Sequence, residues 1–338
     1  MKKNKIGLIY FYVHFVVEVL CFYFLYSNYK GSIVWLLPFV YDAFAFVPQS
    51  LIGFYADKNK NINMGLIGVL LMFIGYIFFL YTSVSIFIPL LIICFGNAFL
   101  HVDGAENTIR FGNGKLSNSA IFVAGGSFGV LTGRLLVGTL TQSWILLLPL
   151  ISLIPLVIIG NNETKDLKGY KNYDFVKKDV NPYKAIIIAF LVVTIRGYMG
   201  YGIPTSWNKT TIELILLFLF MGTGKALGGI LSDKFGIRKV AILSTLIAIP
   251  FLCFGDNIMV ISLIGIMFFS MTMSITLGIL LSVLKDNPGL AFGITTIGLF
   301  IGTIPIFFIK LTFICNVTMI IVFSIICSYL LSSILKGD

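Results

Sequence analysis

The residues of this chain that could do chemistry are ionisable side chains inside long apolar stretches. Glu18 follows His14 by one helical turn, and Asp103, Glu106 and Arg110 recur at i, i+3 and i+7, so each group shares a helix face. An ionisable group in hydrocarbon costs about 2.5–3.5 kcal/mol, so it usually lines a cavity or a proton path. The candidates for proton coupling or for a substrate cavity are Glu18, Asp42, Asp103, Glu106, Arg134 and Arg196.

Structural roles are the alternatives for the acids of the first and fourth stretches. Glu18 could be a buried, hydrogen-bonded structural acid, and Asp103 and Glu106 could form an inner-gate ion pair with Arg110. Burial of a carboxylate disfavours its charged form, which lets it exchange a proton near neutral pH. For proton coupling the sequence favours Glu18 and Glu106.

The other charged residues also have alternatives. Asp42 could pair with Arg134 or with another residue of an outer gate. Lys225 lies near enough to the inner surface for its ammonium group to reach water, and His14 could also lie near that surface. His101 is expected to point away from the acidic face of its helix, so the sequence predicts two isolated histidines.

Catalytic and metal-binding patterns are missing from the sequence. The five cysteines fall in apolar stretches without CxxC or Cys/His spacing, which is typical of small packing residues. The predicted loops contain no DDxxD or HxxxH pattern, which a polytopic lipid-modifying enzyme would need. We predict no enzymatic activity, no cofactor, no metal and no disulfide.

The elements that position these residues are membrane helices. Apolar residues make up 58% of the 338 residues, charged residues make up 11%, and the mean hydropathy is +1.00. A soluble domain carries about 25% charged residues, and so few polar side chains could not cover its surface. The composition excludes an ordinary soluble enzyme and a nucleic-acid-binding protein, despite the net charge of +10.

Twelve apolar stretches are suitable for helices of about 20 residues that cross the bilayer. Short breaks make successive helices antiparallel neighbours, and one longer polar segment divides them into two sets of six. We predict an all-α membrane protein with an N-terminal six-helix bundle (1–160), a cytoplasmic central loop (161–182) and a C-terminal six-helix bundle (183–338). The predicted spans are 6–27, 33–55, 64–81, 84–109, 119–138, 143–159, 184–204, 211–231, 239–254, 257–284, 289–309 and 312–335.

Positive charge sets the predicted orientation. Most Lys and Arg residues fall in the tails and in the loops on one side, which the positive-inside rule assigns to the cytoplasm, together with both termini. The abundance of Ile, Lys, Asn and Phe is typical of an AT-rich bacterial genome. We therefore predict a location in the bacterial cytoplasmic (inner) membrane. We also predict a monomer, with the lipid bilayer but no nucleic acid as a partner.

Matching segments indicate that the two halves are copies of one unit. Residues 53–58, after the second span, correspond to residues 229–234, after the eighth, and glycines recur in the fifth and eleventh spans. An Asp at a helix end can accept hydrogen bonds from another helix's N-terminus. Such a bond can close one side of a transporter. The predicted gating residues are Gly53, Asp57, Lys58, Gly229, Asp233, Lys234, Gly236, Arg238 and Lys239.

Residues 229–239 resemble the loop signature of the major facilitator superfamily, G-x-x-x-D-[RK]-x-G-[RK]-[RK]. The first copy lacks the second glycine and the paired basic residues, so we expect the N-terminal inner gate to be held differently. The resemblance implies two rocking six-helix bundles around a central cavity lined by spans 1, 4, 7 and 10. The residues that it places there are Glu18, Asp103, Glu106 and Arg196.

A shorter segment, residues 97–101, is similar to the fourth span of fosmidomycin-resistance-type exporters, although Leu100 here separates Phe99 from His101. The glycine-rich fifth span resembles an exporter motif without its proline, and close helix packing is the alternative. We predict a secondary active transporter that moves a small solute by alternating access, coupled to protons, with drug or metabolite export favoured. The alternative is an uptake permease of the same fold.

Overall fold

The computed structural model of the protein describes residues 4–28, 35–309 and 311–337. Over these ranges, α-helices form twelve candidate membrane spans, which we number 1 to 12 in chain order. The predicted all-α, twelve-span architecture is confirmed. The spans are Lys5–Ser27, Leu36–Lys58, Met64–Tyr81, Phe87–Gly112, Ser117–Leu136, Ser143–Thr164, Pro182–Gly202, Thr211–Phe235, Ile237–Phe254, Met259–Val283, Pro288–Phe308 and Phe313–Ile334.

Two of these spans are interrupted near mid-length. Span 2 consists of the helices Leu36–Phe46 and Pro48–Lys58. Pro48 starts the second helix because its ring nitrogen cannot donate the backbone hydrogen bond that would continue the first. Span 10 consists of the helices Met259–Ser270 and Met273–Val283. Each of these two spans is therefore built from two consecutive helices.

Glycines bring spans of each half into backbone contact. A methyl carbon added at Gly133 in span 5 would lie 2.5 Å from the carbonyl oxygen of Val19 in span 1. A methyl carbon added at Gly302 in span 11 would lie 2.1 Å from the carbonyl oxygen of Thr194 in span 7. Small residues at such crossings let backbones approach closely. Close packing, the alternative weighed for the glycine-rich fifth span, is therefore what the structure shows.

We call the side of the protein on which span 1 begins and span 12 ends the inner side. The segment between spans 6 and 7 packs against the inner ends of other spans. Tyr173 is fully buried, and its hydroxyl group donates to the carbonyl oxygen of Lys115 at 3.0 Å. Further along, Val176 forms a β-bridge with Leu335, just after span 12. The predicted loop at 161–182 therefore ties the inner ends of the N-terminal and C-terminal spans together.

Tyr173→Phe removes this hydroxyl group, which also donates to the buried carbonyl oxygen of Ile109 at 3.3 Å, and leaves both carbonyl oxygens without it. We expect the free energy of unfolding to fall by about 1–3 kcal/mol, measured as a lower melting temperature of the purified protein. Tyr183→Phe is the matched control, because Tyr183 is 76% exposed. An equal loss of stability in both variants would contradict the packed position of Tyr173.

Candidate functional site

Asp233, at the inner end of span 8, binds the N-terminus of span 5. Its carboxylate oxygens accept hydrogen bonds from the backbone N–H groups of Leu116 (2.8 Å) and Ser117 (2.9 Å). The first N–H groups of a helix have no partner within it and carry partial positive charge. A carboxylate therefore binds them through charge-assisted bonds. Since span 8 belongs to the C-terminal half and span 5 to the N-terminal half, this contact joins the two halves.

Asp57, at the inner end of span 2, makes the equivalent contact with span 11. Its carboxylate oxygens accept hydrogen bonds from the N–H groups of Gly289 (2.8 Å) and Leu290 (2.9 Å). Asp57 thus repeats the contact made by Asp233, although its loop lacks the second glycine and the paired basic residues. We call these two aspartate–helix contacts the inner locks.

Glycines let the helices approach closely enough for the locks to form. A methyl carbon added at Gly53 would lie 2.3 Å from the carbonyl oxygen of Gly289. One added at Gly229 would lie 2.4 Å from the Cβ atom of Ala120. Each glycine lies one helical turn before the aspartate of its lock. Both locks therefore need a residue without a side chain at this position.

Gly53→Ala should weaken closure of the inner side, because its neighbour is backbone that cannot move aside cheaply. We expect faster amide hydrogen exchange at the start of span 11 and slower transport. Gly200→Ala is the matched control, because the nearest atom to an added methyl carbon, in Phe269, is 3.9 Å away. Unchanged exchange around Gly289 in Gly53→Ala would contradict the close contact.

The basic residues of the two loops differ in their positions, whereas the two aspartates make the same contact. The Nζ atom of Lys58 lies 3.9 Å from the ring centroid of Phe54, and that of Lys234 lies 5.0 Å from the ring of Phe235. Gly236 ends span 8 with φ of +91°, a conformation that favours glycine. The paired basic residues of the second copy, Arg238 and Lys239, lie in the first turn of span 9.

Glu106 and Arg110 form a buried ion pair close to the Asp57 lock. The guanidinium group of Arg110 donates to Glu106 Oε2 at 2.7 Å. The other carboxylate oxygen, Oε1, lies 2.7 Å from the position of a methyl carbon added at Gly289. The inner-gate ion pair that the sequence offered as the alternative role of Glu106 is therefore present.

Asp103 lies inside the N-terminal half. Its carboxylate accepts hydrogen bonds from the hydroxyl group of Tyr10 (2.7 Å) and from the side-chain amides of Asn161 (2.7 Å) and Asn107 (3.1 Å). These partners belong to spans 1, 4 and 6, and together they satisfy the buried charge. The structure thus places Asp103 among N-terminal spans, whereas the resemblance implied the cavity between the halves.

The two histidines of the chain are in contact, so the prediction that they are isolated is wrong. His14 Nε2 lies 2.8 Å from His101 Nε2, and the two rings are nearly perpendicular at 78°. Glu18 Oε1 lies 3.7 Å from the Nε2 atom of His14 and 3.5 Å from that of His101. All three side chains are buried. We call His14, Glu18 and His101 the polar cluster.

Neighbouring polar groups hold the polar cluster in place. The Nδ1 atom of His14 lies 2.9 Å from a backbone carbonyl oxygen of span 5, and that of His101 lies 3.0 Å from the carbonyl oxygen of Asn97. The side-chain amide of Asn97 donates to Glu18 Oε1 at 3.2 Å, and the Tyr41 hydroxyl group donates to Glu18 Oε2 at 3.3 Å. The cluster itself lies on spans 1 and 4, and spans 2 and 5 supply further partners.

Asp42, Arg134 and Arg196 form no ion pairs within the ranges that the structure describes. The guanidinium carbon of Arg134 lies 5.2 Å from the ring centroid of Tyr26, and the pair with Asp42 that the sequence offered as an alternative is not formed. That of Arg196 lies 4.8 Å from the ring centroid of Phe269. The small cavity around Arg196 is lined by spans 7, 9, 10 and 12. Arg196 therefore lies inside the C-terminal half, a correction to its expected position between the halves.

Sequence reasoning missed three residues around Glu18: His101, Asn97 and Tyr41. One signal was available, since Asn97 and His101 lie one helical turn apart and therefore on the same face of span 4. Two polar residues on one face of an apolar helix indicate a polar contact with a neighbouring helix. Which helix that is depends on how the spans pack.

Comparisons with known proteins identify the fold. The sequence matches no family model and no curated protein. The structure is similar to the crystal structure of the human organic anion transporter MFSD10 (TETRAN), with a TM-score of 0.68 and 12% identity. That alignment covers 98% of this chain and 100% of the human chain.

The structure is also similar to FucP, the fucose:proton symporter of E. coli. The alignment with a FucP variant has a TM-score of 0.63 and 14% identity, and covers 97% of this chain and 96% of that chain. FucP in the outward conformation gives a TM-score of 0.57 at 12% identity, covering 98% of each chain. At such identities the similarity shows the fold, and the predicted major facilitator fold is confirmed. The resemblance to fosmidomycin-resistance-type exporters stays a prediction.

Proposed function

We propose that this protein is a secondary active transporter that moves a small solute by alternating access. The observation that carries the proposal is the pair of inner locks. Asp57 and Asp233 each join one half of the protein to a helix N-terminus of the other half, on the same side of the membrane. Hydrogen bonds of this kind can close that side and break when the halves rock about a central site.

The polar cluster is our proposed site of proton coupling. Glu18 is 6% exposed and lies beside two histidines, the side chains whose charge changes most readily near neutral pH. A proton bound here in one conformation and released in another would link solute movement to the proton gradient. Glu106 is less suited to this role, because its carboxylate is already paired with Arg110.

The solute site that we propose lies between the halves, beside the polar cluster. Lys225 in span 8 interacts electrostatically with Glu18, and Tyr201 in span 7 interacts with Asp42 and Glu18. Acids on one half and an ammonium group on the other suit a small polar or zwitterionic solute. Lys225 thus replaces Arg196 as the cation that we assign to this site.

Export of a drug or metabolite is the proposed direction, with the protein in the bacterial inner membrane and both termini in the cytoplasm. The support is the resemblance of residues 97–101 to exporters and the excess of positive charge on the inner loops. In proteoliposomes, the direction of proton movement relative to solute movement distinguishes an exporter from an uptake symporter. Opposite movement is expected for the exporter, and movement in the same direction would instead indicate an uptake symporter.

A ligand screen followed by a counterflow assay tests the proposed function. A compound at 100 times its Kd stabilises the folded protein by about 2.7 kcal/mol, so a thermal-shift screen of metabolites and drugs can identify a ligand. Proteoliposomes loaded with that ligand should then accumulate the labelled ligand transiently by exchange. Protein-free liposomes are the control. Flux that shows no exchange, as in a channel, would contradict a carrier.

A further inference from the structure

The Nδ1 atoms of the two histidines fix the protonation pattern of the pair. His14 Nδ1 lies 2.9 Å from the carbonyl oxygen of Phe122, and His101 Nδ1 lies 3.0 Å from that of Asn97. A carbonyl oxygen only accepts hydrogen bonds, so each Nδ1 must carry a hydrogen and donate. A neutral imidazole has one N–H group. In a pair of neutral rings, both Nε2 atoms would therefore present lone pairs.

Two lone pairs cannot face each other at the observed separation without something between them. The Nε2 atoms are 2.8 Å apart, which is hydrogen-bond length. Two nitrogens bound to a tetrahedral zinc ion, at about 2.0–2.1 Å each, would be roughly 3.3 Å apart. The separation therefore favours a proton over a metal ion between the rings.

We propose that His14 and His101 share one added proton between their Nε2 atoms, and that the Glu18 carboxylate is its counter-charge. Glu18 Oε1 lies within 3.7 Å of both Nε2 atoms, so the imidazolium and the carboxylate neutralise each other. This inference rests on the proposed function and specifies its coupling site. The transported proton binds to nitrogen, and Glu18 makes that binding favourable.

Other titratable groups surround the site and share its electrostatics. Each of these groups lies near enough to Glu18 for the two charge states to influence each other. One set lies on spans 1, 2 and 4 of the N-terminal half, and the other set belongs to the C-terminal half. The N-terminal groups are Cys21, Tyr41, Asp42 and Cys94, and the C-terminal groups are Lys225 and Tyr201.

Nitrogen NMR of histidine tests the shared proton directly. The chain contains two histidines, so ¹⁵N-histidine labelling of protein with a histidine-free affinity tag reports on this pair alone. We expect both Nδ1 atoms to be protonated, a scalar coupling between the two Nε2 atoms, and loss of one proton in a single titration. Glu18→Gln should lower the proton affinity of the pair about tenfold or more. Glu163→Gln, which changes an exposed acid, should leave the affinity unchanged.

Three results would overturn the assignment. They are two rings that titrate independently, two rings without Nε2–Nε2 coupling across about pH 5 to 9, and a stoichiometric metal ion that a chelator removes. Because the NMR measurement needs no solute, it separates this inference from the proposed function. A shared proton in a protein whose transport ignores the pH gradient would overturn the proton coupling but keep the proton site.

Discussion

Asp233→Asn is expected to open the inner side of the protein and to slow transport. The substitution removes the negative charge and one acceptor from the N-terminus of span 5, where the carboxylate binds Leu116 and Ser117. Hydrogen bonds to charged groups contribute about 1.5–3 kcal/mol each, so the balance between closed and open conformations should shift by about tenfold to a hundredfold. Amide hydrogen exchange measures the shift.

The pattern of exchange distinguishes rocking from local loosening. If the halves move as units, Asp233→Asn should also speed exchange of the N–H groups of Gly289 and Leu290, at the other lock. Asp166→Asn is the control, since this exposed aspartate lies in the segment after span 6, away from both locks. Faster exchange confined to span 5 would show that the locks act separately, against the proposed mechanism.

Glu18→Gln should abolish transport driven by a pH gradient while retaining exchange of bound solute. The amide nearly preserves the shape of the side chain, but it cannot neutralise a protonated histidine 3.5–3.7 Å away. Bound solute can still cross while the halves rock, but net movement no longer carries a proton. Parallel assays of counterflow and of pH-driven accumulation measure the two activities.

Glu163→Gln is the matched control for this substitution. Glu163 pairs with Lys5 at the inner surface, and exposed ion pairs contribute about 0–1 kcal/mol. Both activities should survive in this variant. Normal pH-driven accumulation by the Glu18→Gln variant would show that Glu18 has no role in proton coupling.

The architecture and the locks were largely predictable from the sequence. Long apolar runs broken by short polar turns specify membrane helices, because hydrocarbon leaves the backbone few other ways to satisfy its hydrogen bonds. The breaks predicted near residues 82 and 255 match the ends of spans 3 and 9. Asp57 and Asp233 were identifiable because each follows a glycine by one turn at the end of a span.

The polar cluster was only half predictable. The four-residue spacing of His14 and Glu18 put them on one face of span 1, and the structure keeps them 3.7 Å apart. Sequence spacing within one helix says nothing about the rotation of span 4 against span 1, so the position of His101 was missed. For the same reason the sequence did not show that the side chain of Arg196 lies among the spans of the C-terminal half.

The most direct test of proton-coupled transport is solute accumulation in proteoliposomes under an imposed pH gradient. With the ligand found by thermal shift, the wild-type protein should concentrate the solute above its external level, and a protonophore should abolish the excess. The pH gradient should no longer drive solute accumulation by the Glu18→Gln variant, and it should still drive accumulation by the Glu163→Gln variant. Equal solute concentrations on both sides of the membrane, whatever the pH gradient, would contradict the account.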